Sequence, residues 1–130
     1  MKIVDNNNKL LAFYIEFDSS KDEKNFITDH SLEFQVATFN LPKNTEINRH
    51  YHPEQKREIK GTSEVLVVQD GSLTIDIYSD EKEIVKSLKL KKGDMVFMVS
   101  GGHGIKIDDD CKFIEVKQGP YSDTADKVRF

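Results

Sequence analysis

A chain of 130 residues, 37% of them hydrophobic and 32% charged, has room for one compact core and no second large domain. Its net charge of -4 gives it little attraction for a phosphate backbone, so nucleic acid is not an expected partner. No run approaches the roughly eighteen apolar residues of a membrane span, and Cys111 is the only cysteine, so no intrachain disulfide forms and a reducing cytoplasm fits best. In chain order, the opening MKIVDNNNKLLAFYIEF breaks its apolar residues with Asp5 and three asparagines, unlike a signal peptide. The stretch SSKDEKNF near residue 20 lacks helical periodicity and reads as a surface loop or one short turn. From there the apolar pattern has period two: SLEFQVATF, EVLVVQ, SLTIDIY, DMVFMV and KFIEV are short and rich in β-branched and aromatic residues. Turn signals separate them at Asp70-Gly71, Ser79-Asp80, Lys92-Gly93-Asp94 and Asp108-Asp109-Asp110, with Asp70-Gly71 the strongest hairpin signal. The pattern predicts an antiparallel meander of about eight or nine strands that must close or double over to cover its faces. The fold class is therefore all-β, a single-domain jelly roll or β-barrel over residues 1–130, with its core at about 32–118. The N-terminal strand and the tail from Ser122 are expected to pack outside it or on a partner subunit.

The chemistry-bearing residues cluster in two places. In NTEINRHYHP, strand alternation would put Glu46, Asn48, His50 and His52 on one face and Ile47, Arg49 and Tyr51 on the other. The two imidazoles would then stand roughly 7 Å apart along the backbone, close enough to reach one ion. Glu64 opens the next strand and Gly71 follows it in the turn, while GDMVFMVSGGHG places His103 in a glycine-rich turn just past a strand. Arg57, in the charged stretch after His52, offers a planar donor set for a carboxylate or phosphate, or else pairs with Glu54 or Glu58 in solvent. Tyr78 follows the core positions Leu73, Ile75 and Ile77 and shares its face with Thr74 and Asp76, facing a cavity or water. Tyr121, after Gly119-Pro120, is positioned to cap the mouth of a barrel, and Tyr51 reads as packing. His30 reads as a loop residue. Cys111 sits after three aspartates with no histidine nearby in sequence, which gives nucleophilic catalysis no support, and the aspartates read as a tight turn because they lack the alternation of a calcium loop.

His50, His52, Glu64 and Gly71, followed by Gly93, Gly101 and His103, resemble the two motifs of the cupin superfamily over about residues 32–118. The spacing departs from the usual pattern at PEQKREIKGTS between His52 and Glu64, and Val99 stands where proline is common. The wording GTSEV, GGHG and EVKQGPY is similar to small cupins of cell-surface polysaccharide and sugar-nucleotide pathways. The resemblance implies a jelly roll holding a divalent transition metal (Zn, Fe, Mn, Ni or Cu) on His50, His52, His103 and Glu64, with Glu58 as substitute for Glu64. It further implies a homodimer and a small, polar, carbohydrate-derived ligand, with Arg57, Tyr78 and Tyr121 as substrate-binding candidates. Three readings follow: metal-dependent isomerase or epimerase chemistry, a metal-free epimerase with a histidine base and a tyrosine acid, and a noncatalytic sugar-binding or sensing module.

Overall fold

The structure is a computed structural model that describes residues 1–16 and 22–130. It contains ten strands: β1 (Lys2–Val4), β2 (Leu10–Ile15), β3 (Lys24–Phe26), β4 (Ala37–Phe39), β5 (Glu64–Asp70), β6 (Ser72–Tyr78), β7 (Ile84–Lys91), β8 (Met95–Met98), β9 (Gly102–Ile107) and β10 (Lys112–Lys117). No helix occurs among the described residues, and every strand pairing is antiparallel. The chain divides into two compact units, one of Met1–Ser19 with Gly61–Phe130 and the other of Ser20–Lys60.

The smaller unit contains the β3–β4 pair, joined by bonds such as that from the Ile27 amide to the Val36 carbonyl at 2.9 Å. Of SSKDEKNF, the first three residues lie outside the described set, whereas Lys24–Phe26 forms β3 rather than a loop. SLEFQVATF holds only the three residues of β4, because Gln35 turns its side-chain amide back onto the Asp29 and Leu32 carbonyls instead of extending a ladder.

The larger unit contains a five-stranded sheet, ordered β1-β2-β8-β5-β10, and a three-stranded sheet, ordered β7-β6-β9. Alternation decides which side chains fill the space between them. Leu11, Ala12, Leu66, Val68, Val96 and Met98 from the first sheet meet Leu73, Ile75, Ile77, Leu88 and Leu90 from the second in one buried cluster. Burying each of the larger of these side chains contributes about 1.5–3 kcal/mol. β2 is inserted between β1 and β8, with Leu11 and Ala12 fully buried, so the N-terminal stretch is part of the core rather than peripheral.

The strand order also corrects the expected meander. β5 and β6 belong to different sheets, so Asp70-Gly71 turns a corner from one sheet to the other instead of closing a hairpin. Gly71 does take the left-handed conformation that the dipeptide foretells, with φ of 71°. A local signal of this kind fixes the turn's backbone but not the partner of the strand that follows. The Lys92-Gly93-Asp94 and Asp108–Asp110 turns are corners of the same sort, linking β7 to β8 and β9 to β10 across the sheets. The Ser79-Asp80 signal marks a true hairpin between β6 and β7, closed by the Ser79 amide donating to the Glu83 carbonyl at 2.9 Å.

One buried carboxylate ties the second corner to the core. Asp94 is 1% exposed and accepts hydrogen bonds from the Lys91 amide and the Tyr14 hydroxyl, each at 3.1 Å. Burial, and then the Asp94 charge, push the Tyr14 phenol from 10.0 up to about 12. Because the folded value lies above the ordinary one, the neutral phenol's stabilising contribution is intact below pH 10 and disappears as pH rises from 10 through about 12. Urea unfolding at two alkaline pH values should therefore show a steeper loss of stability for the native chain than for Tyr14→Phe; parallel losses would mean that this phenol is not the group responsible.

Candidate functional site

The larger unit gathers ionisable groups at one end of its two sheets. Glu64, the first residue of β5, is opposite Met98 of β8 on one side and Lys117 of β10 on the other, so its side chain shares the inward face of the sheet with them. His103 of β9 is opposite the buried Ile77 of β6 and points inward from the facing sheet. The two meet: His103 Nε2 lies 3.1 Å from Glu64 Oε2, with side-chain exposures of 32% and 16%. In the neutral imidazole this arrangement places the proton on Nε2 and leaves Nδ1 as an acceptor. Lys117 Nζ stands 3.9 Å from the other Glu64 oxygen and is hydrogen-bonded to Asp126. That bond to Asp126 holds the Lys117 ammonium above its ordinary range; burial opposes the shift, and the Asp126, Glu64 and Glu115 charges reinforce it.

These residues line a cleft of about 740 Å³, within the size range of small-molecule sites. Tyr78, Ser79 and the segment Asp126–Phe130 form other parts of its wall. Gly102 makes room for part of this wall, whereas a Cβ at Gly104 would make only ordinary contact with it. A side chain at Gly102 would come within 2.8 Å of the Phe130 ring, and one at Gly104 within 3.6 Å of the Tyr78 ring, and the two rings meet edge to face at 5.3 Å. Tyr78 is opposite Gly102, so its ring lies on the sheet face away from His103, which makes it a wall rather than an acid partner for the imidazole. The Ser79 hydroxyl is buried in this wall and has no hydrogen-bond partner among the described residues.

The smaller unit holds His50 and His52. Their rings are neighbours, with centroids 5.3 Å apart and planes at 79°, and His50 Nδ1 lies 2.9 Å from the Asn48 carbonyl oxygen. Residues 45–60 form no strand, so the shared strand face expected for the pair is not what brings them together. Ladder hydrogen bonds impose alternation, and the exposed, charged stretch ending in Pro53 has no ladder to impose it. Tyr51, expected to pack, is 85% exposed for the same reason. Arg57 is exposed and donates to Gln55 Oε1 at 3.2 Å, and Glu58 Oε1 stands 3.9 Å from Lys60 Nζ. Tyr121 is exposed and lies beneath the Lys117 ammonium, 4.9 Å from the ring centroid. The aspartate triplet serves the turn, with Asp108 and Asp109 accepting from Thr74 and Ser72 at 2.7 and 2.6 Å. Burial and the neighbouring Asp70 and Asp109 charges push the Cys111 thiol up, away from nucleophilic use.

Thus the four candidate metal ligands occur as two close pairs, one in each unit, and no group of three or more His, Cys, Asp or Glu suited to a metal occurs among the described residues. Sequence reading passed over Lys117, Asp126, Ser79 and Phe130. The first was within reach: alternation along KFIEVK puts Lys117 on the same face as Phe113, the face opposite the buried Val68. Among the described residues no helix is long and apolar enough to cross a membrane. No protein-family model, curated protein or solved structure matches the chain.

Proposed function

We propose that this is a small cupin-like jelly-roll protein whose cleft binds a small polar, carbohydrate-derived molecule. His103, oriented by Glu64, then moves a proton on that molecule. The observation that carries the reading is the His103–Glu64 contact at the cleft wall. A carboxylate that fixes one imidazole nitrogen leaves the other free for general acid–base work, the arrangement that such catalysis requires. The jelly-roll element of the proposal rests on two antiparallel sheets sharing one core, with the chain crossing between them at three corners. Exposed Ile114 and Val116 on the terminal strand β10 support self-association into a homodimer.

Screening a panel of sugars and sugar nucleotides by ligand-observed NMR, followed by a turnover assay on whatever binds, tests the reading. His103→Ala should lower turnover by roughly 10²–10⁴-fold, the usual contribution of a general base, while Glu64→Gln should give a smaller loss. Binding and turnover that survive both substitutions would refute the role given to the pair. Binding without turnover anywhere in the panel would favour a sensing module.

A divalent transition metal remains a second reading, favoured by the closeness of His50 to His52 and of His103 to Glu64. Imidazole and carboxylate donors suit such an ion, which would polarise a ligand oxygen. Elemental analysis of the protein purified without added metal, repeated on His50→Ala, His52→Ala and His103→Ala, shows which imidazoles take part. Undiminished metal in the His103 variant would remove that residue from the ligand set.

A further inference from the structure

The segment after β10 returns to the cleft and is held there by two contacts of different character. Asp126, with only 10% of its side chain exposed, is bonded to Lys117, whose ammonium also faces Glu64. Four residues later, the Phe130 ring rests on Gly102 and against Tyr78, with Lys82 Nζ 5.5 Å from its centroid. Between them, Asp126 through Phe130 line the cleft, together with the positive side chains of Lys82, Lys127 and Arg129. No strand pairing holds the segment; its backbone bonds include a local turn in which the Asp126 amide donates to the Ser122 carbonyl at 3.1 Å. A carboxylate on a segment outside the strand ladders therefore occupies the ammonium that also faces Glu64.

We propose that Asp126 stands in for an oxyanion on the ligand, and that residues 122–130 act as a strap that leaves Lys117 when a polar molecule carrying a phosphate or carboxylate enters. This rests on the cleft reading above and narrows its ligand to an anionic class. The charge balance supports the exchange: a ligand oxyanion replaces the Asp126 carboxylate beside Lys117 without leaving the ammonium unpaired, while Glu64 stays committed to His103. Lys127 and Arg129, carried on the same strap, supply further positive charge at the wall.

The test uses the full chain, with glucose 6-phosphate and glucuronate as anionic probes, inorganic phosphate as the bare anion and glucose as the neutral control. Asp126→Asn should tighten binding of both sugar anions by about tenfold, as expected if the strap is closed nine-tenths of the time, and should leave glucose unaffected. Lys117→Gln should abolish the preference for anions over glucose. In the unaltered chain, adding glucose 6-phosphate should shift the amide resonances of residues 122–130, a measurement that stands even if a variant fails to fold. Unchanged anion affinity in Asp126→Asn, or a strap unmoved by saturating anion, overturns the proposal. Glucose bound as well as glucose 6-phosphate also overturns it while leaving the cleft reading intact. Inorganic phosphate alone binding through Lys117, with no gain from the sugar, upholds the strap and sinks the carbohydrate reading instead.

Discussion

Gly71→Val is expected to cost about 3 kcal/mol or more, lowering the melting temperature by roughly 10 °C in a domain of this size. Two effects combine at this corner. Its φ of 71° lies in the left-handed region, where a β-branched residue is strained by about 1–2 kcal/mol. A Cβ there would also stand 1.9 Å from the Asp110 carbonyl oxygen and 3.0 Å from the Cys111 Cα, so the β9–β10 corner would have to shift. The second effect separates this geometry from an ordinary glycine turn. Asparagine tolerates positive φ well, yet Gly71→Asn should be nearly as damaging, since its Cβ meets the same backbone. Thermal melting of both variants decides the matter: a mild asparagine variant would show that φ alone matters and that the two corners are not in contact.

Asp94→Ala should lose about 2–3 kcal/mol in urea unfolding. The carboxylate is enclosed at the corner between β7 and β8, and its removal strands the Lys91 amide and the Tyr14 hydroxyl, each a lost or unsatisfied bond of about 1–3 kcal/mol. Combined with Tyr14→Phe, the loss should be smaller than the sum of the two single losses, because one bond would otherwise be counted twice. Strict additivity would mean that the 3.1 Å contact contributes nothing to stability.

The parts of the fold legible in the sequence were those decided locally. Leu73, Ile75 and Ile77 alternate with polar residues and are fully or almost fully buried, and Glu64 does open a strand. Asp70-Gly71 specifies a left-handed turn whatever follows it. What local pattern could not supply was partnership. Nothing in EVLVVQDGSLTIDIY tells a hairpin from a corner, because both need the same glycine, and which one forms depends on β8 and β10 flanking β5. The site divides along the same line. His103 and Glu64 were singled out by residue type and are joined at 3.1 Å. His50 and His52 were expected to face one way by strand alternation, and the stretch that holds them has no ladder to impose it. Asp126 escaped notice because an aspartate in a polar tail carries no periodicity to distinguish it.

The position of β2 bears on how the chain reaches this state. Ile15 pairs with Met95, 80 residues further along the chain, so one side of β2 has no strand neighbour until β8 exists. Loop closure on that scale must be completed before the pairing stabilises anything, which places the protein among slow, high-contact-order folders. During synthesis at about 5–20 residues per second, Leu11 and Phe13 wait roughly 4–16 s for their partner strand. Through that interval the nascent chain presents an apolar strand edge, where recognition by chaperones or misassembly with other chains competes with folding.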